Sequence, residues 1–175
     1  MIHFLQLTDS ATPGFAQAWQ LYEEAFPEAE RRSPEQQQAL LGEPQYCFLS
    51  LLDNTTFKGL LGVWQLPGFC FIEHFAVVPG LRGQGIGSQA LRQFMQSSAT
   101  PMVLEVEPPQ TESNRRRIKF YERLGFCLNG FDYRQPPYAQ DKPWVPLLLM
   151  SYPEKLSTTT FQKVKEQLYR NVYQV

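Results

Sequence analysis

The feature that most constrains the fold is a glycine-rich stretch, VVPGLRGQGIGSQAL, at residues 77–91. Three alternating glycines, Gly83, Gly85 and Gly87, separate an apolar run from an amphipathic one. Each glycine weakens a helix by about 1 kcal/mol relative to alanine, so a different backbone requirement must explain them. The pattern predicts a strand, a tight turn and a helix, with backbone N–H groups directed at one anion beside the positive end of the helix.

The spacing of the glycines narrows the kind of anion site. The phosphate-binding loop of nucleotide hydrolases needs G-x-x-x-x-G-K-[ST], and the dinucleotide fingerprint needs G-x-G-x-x-G. Residues 83–88, GQGIGS, fit neither pattern. The turn favours a pyrophosphate, with glycine expected because a Cβ would hold the anion away from the backbone, and with Arg82 adding a charge-assisted contact.

Composition indicates a globular protein without a strong overall charge. The chain has 175 residues, of which 43% are hydrophobic, so it can bury a core, and its length favours one domain. A net charge of -1 gives no overall field for nucleic acid or an anionic membrane. No signal segment and no apolar run of about 18 residues is present, so we expect a cytoplasmic protein without a membrane segment. The three cysteines, odd in number and without C-x-x-C spacing, are expected to be buried, reduced thiols, and no metal site is predicted.

Apolar periodicity predicts an alternation of strands and helices. Strands are expected at 3–7, 46–52, 57–64, 69–78 and 102–106 and in the FDYR and VPLLLM runs, and helices at 13–26, 33–42, 86–97, 114–125 and from 157 onward. Short turns between residues 46 and 78 indicate an antiparallel meander, and the strand, helix and strand around the glycines indicate a crossover between parallel strands. The final helix either packs on the domain or binds a partner.

Two segments carry a resemblance to a known family. RGQGIG, from Arg82 to Gly87, resembles the [QR]-x-x-G-x-[GA] motif of the GNAT superfamily of acyl-CoA-dependent N-acyltransferases, and NRRRIKFYERLGF, at residues 114–126, resembles its second signature. The resemblance implies an α/β GNAT fold over residues 1–152: a mixed, mostly antiparallel sheet that is split at the cofactor site, with helices on both faces. Residues 153–175 would form a C-terminal amphipathic helix. Three arginines at 115–117 and the PPQTES insert depart from the family pattern.

The resemblance also implies roles for individual residues toward acetyl-CoA, the expected co-substrate. The backbone of Phe75, Ala76 and Val77 would pair with the pantetheine arm. The pyrophosphate would be held by Gly83, Gln84, Gly85, Ile86, Gly87 and Ser88, with Arg82 beside them. Asn114 would lie along the pantetheine, and Tyr121 would protonate the departing thiolate. Asn114 could at the same time be the N-cap of its helix.

The general base is left open among three carboxylates, Glu73, Glu105 and Glu107, and a chain of water molecules. Glu105 occupies the L-E-V position that serves as base in some family members, and Glu73 lies on the strand before the glycine turn. His74 faces away from Glu73 and is expected to be a packed histidine. Arg31 and Arg32 either contact an acidic acceptor or form a surface charge cluster. Tyr133, Tyr138 and Trp144 are expected to form one wall of the acceptor pocket.

The predicted function is transfer of an acetyl group from acetyl-CoA to a primary amine by direct attack, because no cysteine has the setting of a nucleophile. The acceptor would be a small molecule or a peptide, and a homodimer is compatible with the sequence. Two alternatives stay open. One is a CoA-binding regulatory module with little turnover that docks through its final helix, and the other is transfer of a longer acyl group.

Overall fold

The computed structural model describes residues 1–175 and confirms the predicted α/β fold with an open, mostly antiparallel sheet. Its helices are α1 (Phe15–Ala25), α2 (Pro34–Leu40), α3 (Ile86–Gln96), α4 (Glu112–Arg123) and α5 (Thr158–Gln167). Its strands are β1 (Ile2–Gln6), β2 (Tyr46–Asp53), β3 (Thr56–Leu66), β4 (Phe69–Val77), β5 (Met102–Val106), β6 (Cys127–Leu128), β7 (Tyr133–Gln135) and β8 (Val145–Tyr152). A 3₁₀ turn covers Pro79–Leu81, and a π-helical turn covers Leu168–Tyr173.

The chain forms two compact units. The first contains Met1–Gln65 and Ile72–Ala99, and the second contains Leu66–Phe71 and Thr100–Val175, so that β4 contributes residues to both. The expected boundary after residue 152 stays a prediction. β8 and α5, which lie on either side of it, belong to the same compact unit.

The sheet of the first unit is antiparallel from β1 to β3, and β2 and β3 form a hairpin. β1 pairs antiparallel with β2, and β2 with β3, with β4 next in order. The predicted turn after Asp53 is confirmed, and its residue Asn54 has a φ of 54°. β3 approaches β4 so closely that a Cβ added at Gly59 would come within 2.3 Å of the Ala76 carbonyl oxygen. Glycine is therefore required at this position.

The helices of the first unit follow the predicted apolar spacing. α1 and α3 each bury three residues on one face, namely Ala18, Leu21 and Tyr22, and Ala90, Leu91 and Phe94. α1 begins at Phe15, after a left-handed Gly14, rather than at Pro13. The predicted helix start at Ser33 is confirmed, because Ser33 is the N-cap and forms a capping box with Gln36.

The sheet of the second unit is organised around β8. Three strands, β5, β6 and β7, each pair antiparallel with β8, through register partners such as Leu104 with Met150, Cys127 with Ser151 and Tyr133 with Leu147. β8 therefore connects β5, which carries Glu105, to β7, which carries Tyr133.

The C-terminal segment packs within the second unit. α5 begins at the N-cap Ser157, and the π-helical turn extends it to Tyr173. Its apolar face is buried and includes Phe161, Val164, Leu168, Val172 and Tyr173. The ring of Phe161 stacks on that of Phe131 at 4.3 Å. The chain itself covers this face, so the face is not a docking surface for a partner.

The cysteines are all free thiols, but only Cys70 is fully buried. The expectation of burial was wrong for Cys47 and Cys127, which are half-buried. Partial burial raises the pKa of the Cys47 thiol, so this thiol is a poor nucleophile. No helix of the structure combines the length and the apolar character that crossing a membrane requires.

Candidate active site

The glycine turn lies in the first unit, between the 3₁₀ turn and α3. Gly83 and Gly85 have φ angles of 79° and 80°, in the left-handed region that favours glycine. A Cβ at either position would meet no atom within 4 Å, so the backbone conformation, and not crowding by the protein, requires glycine. Gly85 is the N-cap of α3 and provides no side-chain cap, so no side chain caps the N–H groups of the first turn. Gly87 and Ser88 lie in that first turn.

The polar side chains of the turn fasten it to the chain before it. Gln84 Nε2 donates a hydrogen bond to the Gly80 carbonyl oxygen at 3.1 Å. Arg82 Nε donates to the Val77 carbonyl oxygen at 3.4 Å, and the Arg82 side chain is exposed. The guanidinium therefore lies on the surface beside the glycine turn and close to the end of β4.

Glu73, on β4, is the acceptor in a buried ion pair. Arg32 donates from Nη1 to Oε2 at 2.8 Å and from Nη2 to Oε1 at 2.7 Å, and Trp64 Nε1 donates to Oε2 at 3.0 Å. The side chains of Glu73 and Arg32 are 0% and 6% exposed. Burial opposes ionisation of Glu73, but attraction to Arg32 and His74 outweighs it and holds the pKa of this carboxyl well below its usual range.

This ion pair fixes the segment between α1 and α2 to the sheet. The Arg32 backbone N–H donates to the Tyr22 hydroxyl at 2.8 Å, and its guanidinium carbon lies 5.9 Å from the ring centres of Tyr46 and Trp64. The expectation of a surface charge cluster was wrong for Arg32, because its guanidinium is buried and its planar fork matches a carboxylate of the same chain. The base role of Glu73 stays a prediction, although a buried carboxylate with a depressed pKa is a weak proton acceptor.

His74 is packed, as predicted, but it does not point away from Glu73, because its Nδ1 lies 3.6 Å from the Glu73 Oε2. The side chain is buried, and its Nε2 lies 2.9 Å from the Glu30 carbonyl oxygen. Its ring meets those of Tyr22 and Phe26 edge-on, at 4.7 and 4.6 Å. These contacts are those of a core histidine.

Glu105, on β5, is held by hydroxyl groups. Tyr133 donates to Oε1 at 2.5 Å, and the Tyr173 hydroxyl lies 2.9 Å from Oε1 and 2.8 Å from Oε2. Tyr133 and Tyr173 are buried, and Glu105 is half-buried. Burial and the neighbouring carboxylate raise the pKa of Tyr133 well above its usual value, so its hydroxyl keeps its proton and remains a donor. Trp144, expected in the same wall as Tyr133, is 46% exposed.

Asn114 lies in the first turn of α4, in the second unit. The N-cap is Thr111, whose hydroxyl accepts from the Asn114 N–H at 3.1 Å, so the suggestion that Asn114 is itself the N-cap was wrong. The Asn114 Nδ2 donates to the Pro108 carbonyl oxygen at 3.1 Å and fastens the PPQTES loop. Asn114 thus connects the end of β5 to the start of α4.

The three arginines after Asn114 are exposed and contact their own loop and helix. Arg115 donates to the Pro109 carbonyl oxygen at 3.1 Å, Arg116 pairs with Glu112, and an Arg117 nitrogen lies 3.6 Å from a Glu107 oxygen. Glu112 also offsets the repulsion between these cations and the positive end of α4.

Tyr121 packs near the C-terminal end of α4. It is 8% exposed, its ring meets that of Phe126 edge-on at 5.8 Å, and its hydroxyl makes no hydrogen bond to the protein. Burial raises the pKa of Tyr121 to about 12, against a smaller lowering by Arg117. Gly125, the last residue of the predicted helix, has a φ of 98°, and the Phe126 N–H donates to the Tyr121 carbonyl oxygen at 3.1 Å in a Schellman motif.

The structure places the predicted site residues in both units. Glu73, residues 75–77 and residues 82–88 lie in the first unit, and Glu105, Asn114 and Tyr121 lie in the second. Sequence reasoning missed two partners of the carboxylates. Nothing in the sequence around Arg32 indicates that its side chain is buried. Tyr173 lies 68 positions from Glu105, so the sequence does not indicate that the two side chains meet.

Comparison with known proteins agrees with the two motifs. The model of the acetyltransferase (GNAT) family matches residues 15–126, more than half of the chain. A solved structure from Bacteroides thetaiotaomicron, described as a GNAT-family acetyltransferase, is 31% identical and superposes with a TM-score of 0.93, covering 99% of each chain.

Two sequence relatives also bear acetyltransferase names. YjbC of Bacillus subtilis is 25% identical over 153 residues, which are 86% of this chain and 78% of the relative. N-alpha-acetyltransferase 30 of Schizosaccharomyces pombe is 36% identical over 109 residues, which are 51% of this chain and 68% of the relative. The chain belongs to the GNAT family of acetyltransferases and is an acyltransferase enzyme.

Proposed function

We propose that this enzyme transfers the acetyl group of acetyl-CoA to a primary amine. The observation that carries the proposal is the glycine turn, where two left-handed glycines in open space precede a helix without a side-chain cap. Successive backbone N–H groups and the positive end of α3 suit the pyrophosphate of coenzyme A. The open space at Gly83 and Gly85 leaves room for such an anion.

We assign the other contacts with acetyl-CoA from the family motifs. In the first unit, residues 83–88 would hold the pyrophosphate, Arg82 would contact a phosphate, and the backbone of residues 75–77 would pair with the pantetheine arm. In the second unit, Asn114 would contact the pantetheine through its side-chain oxygen, because its Nδ2 already donates to the Pro108 carbonyl oxygen.

We assign the general base to Glu105. An alkylamine with a pKa of about 10.4 must lose a proton before or during attack, which costs about 4.6 kcal/mol at pH 7. Glu105 contacts neutral hydroxyl donors, whereas the buried Glu73 side chain contacts a guanidinium. Proton transfer to Glu73 would leave the Arg32 charge buried without a counter-ion, which is costly.

We assign the general acid to Tyr121. With a pKa of about 12, it is protonated at neutral pH, and its hydroxyl makes no hydrogen bond to the protein. In the proposed reaction, the amine first loses its ammonium proton to solvent, and its neutral nitrogen then bonds to the acetyl carbonyl carbon while the carbon–sulfur bond breaks. Glu105 takes one proton from the nitrogen, and Tyr121 gives one to the departing sulfur. Solvent then returns the proton of Glu105 to Tyr121, and the net products are an N-acetylated amine and free coenzyme A.

The acceptor class follows from the family. We propose a small-molecule or peptide amine, and the likeness to a protein named N-alpha-acetyltransferase 30 is the reason to include peptide α-amines. A cytoplasmic location is part of the same proposal.

The test measures release of free thiol from acetyl-CoA in the presence of alanine- and serine-ended tripeptides, lysine, spermidine and an aminoglycoside. We expect at least one amine to raise thiol release well above background, and Tyr121→Phe to lower it about a hundredfold or more. Binding of acetyl-CoA without amine-stimulated release would contradict the proposal and favour the regulatory module. Faster release from a longer acyl-CoA would favour that alternative.

The position of the pyrophosphate is tested by binding. We expect Gly85→Glu to abolish measurable acetyl-CoA binding, because it places a carboxylate where the anion would lie. Gly85→Ala controls for the strain of a left-handed side chain, and Gly42→Glu, at an exposed glycine with open space around it, controls for the added charge. Unchanged affinity in Gly85→Glu would show that the pyrophosphate binds elsewhere.

A further inference from the structure

The C-terminal segment reaches a carboxylate of the proposed reaction. The Tyr173 hydroxyl lies within 2.9 Å of both Glu105 oxygens, and the Tyr133 hydroxyl donates to one of them. A carboxylate that accepts hydrogen bonds on both oxygens cannot rotate about its last bond without losing one of them. These contacts therefore fix the orientation of the Glu105 carboxylate.

Tyr173 is held in place by its own packing. Leu168 and Val172, in the same π-helical turn, are 0% and 6% exposed, and the Tyr173 ring lies 5.2 Å from the ring of Tyr138. Tyr173 itself is 7% exposed. A terminal segment without such packing would fray, so the buried turn supplies the rigidity that a positioning hydrogen bond needs.

We infer that Tyr173, together with Tyr133, is a positioning residue that holds Glu105 in the orientation for accepting the proton of the amine. The inference rests on the proposed function, because it requires Glu105 to be the base. It extends that function by assigning the C-terminal π-helical turn a role in orienting the general base.

The groups that donate hydrogen bonds to Glu105 are phenol hydroxyls, and neutral donors of this kind are compatible with a carboxylate that must accept a proton. A phenol hydroxyl stabilises the anionic form of Glu105 through a hydrogen bond, but it has no positive charge that protonation of Glu105 would leave unpaired. The titratable groups that face Glu105 include Tyr133 on β7 and Tyr173 in the π-helical turn, with Tyr138 and Tyr169 next to them. The raised pKa of Tyr133 keeps its proton on oxygen across the range in which carboxyls titrate.

The experiment compares Tyr173→Phe with Tyr169→Phe, a matched control in the same segment. The Tyr169 hydroxyl donates to the Arg134 carbonyl oxygen at 2.7 Å. With acetyl-CoA and the best acceptor from the amine panel, we expect Tyr173→Phe to lower kcat about tenfold or more and to leave KM for acetyl-CoA unchanged. The acid limb of its kcat/KM profile should move upward by about one pH unit, because the ionised base loses a hydrogen bond.

Tyr169→Phe should keep the wild-type rate and pH profile. Thermal melting monitors folding, and Tyr133→Phe repeats the test if Tyr173→Phe does not fold. A wild-type kcat and acid limb in a folded Tyr173→Phe, with Glu105→Gln inactive, would overturn the positioning role alone. A Glu105→Gln variant that keeps its activity, or an amine panel without turnover, would overturn the proposed function and with it this inference.

Discussion

Glu73 and Glu105 are the same residue type on strands that follow one another in the chain, yet they have different partners. In the first unit, Glu73 is fully buried and receives two hydrogen bonds from the Arg32 guanidinium. In the second unit, Glu105 accepts hydrogen bonds from two tyrosine hydroxyls. The charge of Glu73 is needed to compensate a buried cation, whereas that of Glu105 is available to take up a proton.

The chemistry of a carboxylate therefore depends on what its neighbours lose when it is protonated. Protonation of Glu73 would leave a guanidinium buried and unpaired, a cost of several kcal/mol. Protonation of Glu105 would exchange one hydrogen-bond arrangement with the Tyr133 and Tyr173 hydroxyls for another. From this difference, we expect a structural role for Glu73 and a chemical role for Glu105.

The largest expected effect separates the two carboxylates by activity. Glu105→Gln should lower kcat about 10²- to 10⁴-fold, the contribution typical of a general base, without loss of folding. The paired variant Arg32→Met with Glu73→Leu removes the other carboxylate together with its cation and should keep most of the activity. Steady-state thiol release, normalised to folded protein by circular dichroism, measures both. The opposite ranking of the two variants would make Glu73 the base.

Most of the fold could be predicted from the sequence, because its signals are local. Period-two and period-3.6 apolar patterns predicted the central strands and helices, and left-handed glycines ended α4 and preceded α3 as expected. The first residues of two helices were misplaced. Gly14 and Thr111 act as N-caps, where Pro13 and Asn114 had suggested other starts. Several residues near a helix start can serve as its cap, so sequence alone does not choose among them.

The candidate site was less predictable, because its decisive contacts are far apart in the chain. Arg32 and Glu73 are 41 positions apart, and Tyr173 and Glu105 are 68 apart. Strand alternation predicted that Glu73 and His74 point to opposite faces, yet His74 Nδ1 lies 3.6 Å from the Glu73 Oε2, and alternation gave no information about Arg32. Such pairings depend on the tertiary fold. In a single sequence, the residues next to Arg32 and Tyr173 do not indicate which carboxylate each will contact.

A smaller expected effect is the change in the free energy of unfolding of the protein when the Arg32–Glu73 ion pair is broken. Arg32→Met should destabilise the fold by about 3 to 5 kcal/mol, because Glu73 remains buried without its cation. The Arg32→Met and Glu73→Leu pair should recover most of that loss. Urea unfolding followed by tryptophan fluorescence measures these values. Arg31→Met is the control, because the ion pair of Arg31 with Glu23 spans 3.7 Å with partly exposed side chains and should contribute less than about 1 kcal/mol.

The smallest expected effect is the change in the free energy of unfolding with pH that the titration of Glu73 causes. Its pKa in the folded chain lies well below the usual value of 4.5, so the folded state favours the carboxylate and the unfolded chain takes up the proton first. The stabilisation is therefore fully present above about pH 4.5 and is lost as the pH falls below it. For one proton, the slope approaches about 1.4 kcal/mol per pH unit.

Urea unfolding at pH values from 6 to 3 tests this dependence in the wild type and in the Arg32→Met and Glu73→Leu pair. The paired variant should lose less stability on acidification, because it lacks the carboxylate that binds a proton on unfolding. Its free energy of unfolding should fall less steeply with pH than that of the wild type, by up to about 1.4 kcal/mol per pH unit. Equal slopes in the wild type and the paired variant would mean that the pKa of Glu73 is not depressed in the folded chain. A pH-independent Glu73 would in turn return it to the candidates for the base, because the argument against it depends on its attachment to Arg32.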